Sequence, residues 1–264
     1  MIQIIVLALV QGLTEFLPIS SSGHLIIVPE LIEWPAQSIA FDVAVHVGTL
    51  LAVMLYFYKD VSTLTVDWSR SVVKRERVGE SRLAWIIIIA SIPVALFGWL
   101  FHDYISEYLR DNMLVIALTT LVFGLVLGAA DWFRKDTREI ESLTIRDGII
   151  VGFAQALALI PGTSRSGITM TFALFLGLKR HAAARFSFLL AIPAIVMAGG
   201  YESLKLIGDA KIEMTDFFIG ASLSFIFAIL CIHFFMRLID KVGMWQFVIY
   251  RVILGSILLV YVYS

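Results

Sequence analysis

Six stretches of this chain stay apolar over the length a helix needs to cross a bilayer: 41–58, 84–101, 113–130, 184–200, 217–236 and 246–263. Such a span takes about 20 mostly apolar residues, with a range of roughly 17–25. The runs are continuous and do not alternate apolar with polar positions, so helices are expected and a β-barrel is not. Two further apolar stretches, Gly12–His24 and Gln155–Gly167, are interrupted in the same way. Each has an apolar run, a proline, a serine-rich break and more apolar residues; with Pro18 set on Pro161, Ser21 falls on Ser164. Broken hydrophobic segments at matching places in two halves of a chain point to a membrane site at a repeat interface.

Basic residues orient the spans, because Lys and Arg mark cytoplasmic loops. Segments 59–82, 131–147, 179–185 and 237–245 carry fifteen of them, while the remaining loops hold only Arg110, Lys205 and Lys211. With 131–147 and 179–185 both inside, segment 147–178 enters and leaves from one side and turns near Pro161–Ser166. Residues 1–28 are expected to form a second hairpin, entering from the outer side and turning near Pro18–Gly23. Each half then has one hairpin and three spans, and an odd number of spans inserts the second half upside down. The expectation is an all-α integral membrane protein: about six transmembrane helices plus two re-entrant hairpins in an inverted-topology repeat. It would be a single membrane domain over 1–264, with repeats 1–130 and 147–264 joined by loop 131–146.

Composition agrees. The 264 residues are 59% hydrophobic, with a mean hydropathy of +0.91, too apolar for a soluble domain. The net charge of −1 offers no global field for nucleic acid. Cys231 is the single cysteine, so no intramolecular disulfide forms, and packing is its simplest role. The N-terminus lacks a basic start and a small-residue cleavage site, so it is expected to belong to the mature fold.

Ionisable groups at membrane depth are functional candidates by default; here Glu15, His24 and Arg165 sit in or beside the breaks. The fork of Arg165 matches phosphate oxygens, a structural pair with Glu15 being the plainer reading. Ser20, Ser21, Ser22, Ser164 and Ser166 can donate to phosphate, one can attack it, or they can cap helices. Pro18 and Pro161 stop the incoming helices. The returning helices present N-termini whose unpaired N–H groups favour an anion. Gln11 shares a helix face with Glu15, which can bind a divalent metal, orient water or act as acid or base. His24 can pass a proton. Asp42 and His46, spaced i, i+4, read first as a local hydrogen bond and second as lining of an outer mouth. Gly124/Gly128 and Gly148/Gly152 read as close helix packing.

At these residues the chain resembles the bacterial undecaprenyl-diphosphate phosphatases, also called bacitracin-resistance proteins. Gln11 and Glu15 match that family's Glu/Gln-x-x-x-Glu; Pro18–His24 matches its P-x-S-S-x-G-H; Pro161–Thr169 matches its P-G-x-S-R-S-x-x-T. The resemblance implies hydrolysis of a C55 isoprenoid diphosphate to the monophosphate and inorganic phosphate, regenerating the lipid carrier of cell-wall synthesis and conferring bacitracin resistance. It implies a multi-pass protein of the bacterial inner membrane, working on an isoprenoid diphosphate lipid, with no nucleic-acid partner and with a homodimer as an open option. A divalent cation (Mg or Ca) is a further expectation, with Glu15 as its ligand. In this reading Arg165 and the tip N–H groups clamp the terminal phosphate, His24 handles the proton and Ser21 is nucleophile or phosphate donor, with Ser164 as understudy. Gln11, Ser20, Ser22, Gly162, Thr163, Ser164, Ser166 and Thr169 would contact the substrate.

The rivals are a lipid-phosphate transporter or flippase with the same midplane site, a phosphatidic-acid-type phosphatase, and a structural scaffold. Ser22–His24 is similar to part of the second family's signature, but no matching histidine follows Arg165. A scaffold leaves Arg165, Glu15 and His24 unexplained.

Overall fold

The computed structural model describes residues 1–35, 37–205 and 213–264, with the backbone alone at Lys205; Lys211 lies outside the described residues. Regular structure among the described residues is helical, apart from an isolated bridge between Arg138 and Leu178. The helices are α1 (Ile2–Thr14), α2 (Ser21–Ile32), α3 (Ile39–Tyr56), α4 (Tyr58–Lys74), α5 (Ser81–Leu100), α6 (Met113–Phe133), α7 (Ile145–Ala156), α8 (Arg165–Phe175), α9 (Arg180–Lys205), α10 (Met214–Val242) and α11 (Trp245–Tyr263). Short helical turns occupy 102–109, 140–142 and 157–159.

Six of these helices, α3, α5, α6, α9, α10 and α11, are long and apolar enough to span a bilayer. Polar residues set where they begin. Ser38 accepts from the Phe41 N–H at 3.2 Å, and Asn112 accepts from the Val115 N–H at 3.2 Å. At α7 a capping box closes, with the Asp147 N–H on the Thr144 hydroxyl at 3.2 Å and the Thr144 N–H on the Asp147 carboxylate at 2.9 Å.

One segment departs from the sequence reading. Residues 59–82 were expected as a charged cytoplasmic loop, yet 58–74 form α4. Its Val61 and Leu64 pack on the main core, and Trp68 meets Trp85 of α5 at 6.0 Å. A one-sided apolar stripe under a charged face makes a surface helix, which no search for spans detects.

The hairpins are α1–α2 and α7–α8. Met1, Gln3 and Ile4 gather with Gln37, Ser38 and Glu213 at one end of the bundle. Ile145, the start of α7, lies with Arg75, Arg77 and Arg82 at the basic end. The hairpins therefore enter from opposite ends, as expected if residues 1–28 do not cross.

The packing repeats with inverted topology. Helix α1 packs on α10, and its counterpart α7 packs on α5; α6 pairs with its own counterpart α11, and α3 with α9. Glycines allow the close pairs. A Cβ at Gly152 would sit 2.6 Å from the Ala90 carbonyl oxygen, and one at Gly124 would sit 2.8 Å from Arg251 Cβ, which is what the spacing of small residues anticipated.

Candidate functional site

The breaks after Pro18 and Pro161 produce two tips of the same geometry. Ser20 and Ser164 both adopt left-handed backbone, with φ of 73° and 71°. Each caps the returning helix, accepting from the Gly23 N–H at 3.3 Å and from the Gly167 N–H at 3.1 Å. Each hydroxyl also meets the serine two residues on, Ser22 at 3.3 Å and Ser166 at 3.2 Å. This corrects the register read from the sequence: Ser20, not Ser21, is the counterpart of Ser164, and Ser21 is the counterpart of Arg165. The second tip carries one extra residue after its proline, which aligning prolines hides. Its Gly162 has a φ of 85°, and a Cβ there would lie 2.6 Å from the Ile116 carbonyl oxygen, so the tip needs glycine.

The tips touch. Ser166 donates to the Leu17 carbonyl at 2.8 Å, and Arg165 Nη2 donates to Glu15 Oε1 at 2.6 Å. Glu15 is the hub: its Oε2 also accepts from Ser21 Oγ at 2.5 Å and from Gln11 Nε2 at 2.9 Å. A cavity of about 220 Å³ opens over this group, walled by Glu15, Ser20, Ser21, Ser22, Ser164 and Arg165, with His46 opposite and Val94, Leu159 and Ala194 on the apolar side. At helix positions this early, the N–H groups of Ser21, Ser22, Arg165 and Ser166 have no carbonyl one turn back to bond. The remaining N–H groups of Arg165 make no hydrogen bond to described residues. Arginine and helix ends thus converge where an anion would sit.

Other residues singled out from the sequence either do not reach the cavity wall or reach it with their polar groups already engaged. His24 is turned away: Nε2 lies 2.5 Å from the Tyr250 hydroxyl, Nδ1 lies 2.7 Å from the Ser20 carbonyl, and the two rings stack. Gln11 is fully buried behind Glu15. Thr169 bonds to the Arg165 carbonyl at 2.8 Å and to Ser187 at 2.7 Å. Ser166, Gly162 and Thr163 are buried at the seam of the tips. Ser20 and Ser164 line the cavity, but their hydroxyls are committed as caps.

Two side chains escaped the sequence reading. Arg251, fully buried in the last span, donates to the carbonyls of Thr120 at 3.1 Å, Pro18 at 3.3 Å, Thr119 at 3.3 Å and Gly162 at 3.0 Å. It ties both tips to α6. An arginine inside an apolar run was the available signal. Tyr250, the partner of His24, gave none.

For a metal the donor set does not fit. Among the described residues there is no cluster of three His, Cys, Asp or Glu side chains. Glu15 is the one carboxylate on the cavity wall, and both its oxygens are engaged. A hard divalent cation takes six or more oxygens, so these residues do not cage a resident ion.

The family model described as bacitracin resistance protein BacA matches residues 4–257. Undecaprenyl-diphosphatase 2 of Stutzerimonas stutzeri (strain A1501) is 55% identical over 264 residues, covering 98% of this chain and 97% of that protein. The undecaprenyl-diphosphatase of Teredinibacter turnerae is 51% identical, covering 98% of each chain. That of Colwellia psychrerythraea is 54% identical, covering 96% of each.

Proposed function

Because the chain belongs to the bacitracin resistance protein BacA family, we propose that it hydrolyses undecaprenyl diphosphate to undecaprenyl phosphate and inorganic phosphate, and thereby confers bacitracin resistance. The observation that carries this for the chain's own residues is the contact of Glu15 with both Ser21 and Arg165 beneath one cavity.

The chemistry follows from those contacts. Ser21 Oγ attacks the terminal phosphorus while its hydrogen passes to Glu15, which already accepts it. The bond from that phosphorus to the bridging oxygen breaks, and undecaprenyl phosphate leaves with the oxygen. Water then releases inorganic phosphate from Ser21. Arg165 and the tip N–H groups are aimed at the charge that builds on the transferring phosphoryl. The lipid tail has a route: an apolar groove of about 340 Å³ between α5 and α9, walled by Gly98, Trp99 and Met197, shares Val94, Leu159 and Ala194 with the cavity.

Phosphate release by detergent-solubilised protein tests the reading, since transport needs a sealed membrane and hydrolysis does not. Arg165→Ala is expected to lower kcat on the order of 100-fold or more with its elution profile intact. Near-normal turnover in that variant would remove the clamp. A divalent cation (Mg or Ca) belongs to this proposal only as an ion carried in on the diphosphate, without Glu15 as its ligand, since both Glu15 oxygens are engaged; loss of phosphate release in EDTA checks it.

The protein is a multi-pass membrane protein, and we place it in the bacterial inner membrane because helical spans, not a barrel, carry it. The division into halves 1–130 and 147–264 is supported by the matched caps at Ser20 and Ser164. A homodimer is a further part of this proposal, and the mass of the detergent complex tests it.

A further inference from the structure

Two cavities meet at His46. The one above Glu15 and Arg165 shares His46 and Ala198 with a smaller cavity of about 140 Å³, walled by Asp42, Val43, Arg110, Gly199 and Glu202. The smaller cavity lies at the end of the bundle away from the basic loops, toward the N-terminus of α3 and the C-terminal part of α9. Among the described residues, His46 is the one ionisable side chain common to both walls.

The ring's tautomer follows from its partner. Nδ1 lies 2.7 Å from the Asp42 carbonyl oxygen. A carbonyl only accepts, so Nδ1 carries the hydrogen and the neutral ring presents a lone pair at Nε2. Nε2 makes no hydrogen bond to any described residue.

The reaction needs such a group. Near neutral pH the two phosphate products carry about one more negative charge than the diphosphate, because phosphate monoesters titrate near 6, so each turnover sheds about one proton. Glu15 is held by three donors and returns to Ser21 the hydrogen it took. His24 faces Tyr250 instead.

Resting on the reaction above, we propose that His46 is the base of the second step. As water attacks phosphorylated Ser21, the water oxygen bonds to phosphorus and the bond from phosphorus to Ser21 Oγ breaks. Ser21 Oγ recovers its hydrogen from Glu15, one water hydrogen stays on the departing phosphate, and the other goes to Nε2. The imidazolium then loses it into the smaller cavity. The charged groups facing the ring are Asp42 of α3, Glu15 just after α1, Arg165 of α8, Glu202 of α9, and Arg110, which pairs with Asp42 at 3.0 Å. Helix α10, also packed on α3, brings no ionisable residue to either wall.

The experiment compares wild type with His46→Asn and His46→Ala in detergent, using farnesyl diphosphate labelled in its terminal phosphate. Expected are a fall in kcat on the order of 100-fold with KM unchanged, label trapped on Ser21 after acid quench, and loss of the acid-side limb of the wild-type kcat profile. An unchanged kcat and pH profile, or a lower kcat with no trapped label and the same limb, overturns the assignment. If neither variant folds, the wild-type profile decides, and absence of an acid-side limb overturns it. A wild-type protein that releases no phosphate refutes the reaction itself, and His46 with it.

Discussion

At the scale of single residues, the site is built by competition for a few buried acceptors. Glu15 satisfies three donors, and in doing so orients the Ser21 hydroxyl and holds Arg165 at the seam of the tips. Its place was legible because a carboxylate in an apolar run needs a partner, and pairing with Arg165, 150 positions away, was one of the readings of the sequence; that the Ser21 hydroxyl shares the same carboxylate was not. Arg251 shows the reverse failure. It never meets the cavity, yet its guanidinium answers carbonyls from both tips and from α6. Replacing it by Met leaves those buried carbonyls unmet, at about 1–3 kcal/mol for each that stays dry. Arg251→Met is therefore expected to unfold at a lower temperature in detergent and to lose phosphate release. A variant as stable and active as wild type would show that the tips hold themselves.

At the scale of elements, each hairpin is a helix stopped by proline and restarted by a capping serine in left-handed backbone. The proline was visible in the sequence; the register was not, because one inserted residue shifts which side chain faces the cavity. The second hairpin is also anchored at its basic end. Arg138 bonds to the Asp147 carboxylate at 2.6 Å and to the Leu176 carbonyl at 2.9 Å, joining the start of α7 to the end of α8. Burial alone would raise the Asp147 carboxyl, but the Arg138 and Thr144 hydrogen bonds outweigh it and hold the carboxyl below its ordinary value. A carboxylate depressed by folding stabilises the protein above its unfolded pKa, about 3.9, and loses that contribution as pH falls through the folded value. Asp147→Asn is thus expected to melt below wild type at neutral pH, with the gap closing as the pH drops under about 4. A gap independent of pH would assign the effect to the capping geometry instead. Helix α4 was missed for an elementary reason: a charged face with a narrow apolar stripe looks like a loop until α5 supplies the surface it covers.

At the scale of the whole molecule, opposite insertion of the two halves brings both tips to one place and leaves the cavity open toward the end where Asp42 and Gly199 lie. Ser22 is exposed on that wall. A Ser22→Cys variant lacking Cys231 should react with a membrane-impermeant maleimide added from outside and resist it from the cytoplasmic side; labelling from the cytoplasmic side alone would invert the topology. The sequence by itself determined the medium, the six spans and the two breaks, because hydrophobic length and helix-stopping prolines act locally along the chain. Only the tertiary structure decided which serine faces the carboxylate, that His24 turns to Tyr250, that Arg251 clamps the tips and that His46 stands between two cavities. Those outcomes depend on side chains from distant helices contending for the same few hydrogen-bonding atoms in a medium that offers no water as a substitute.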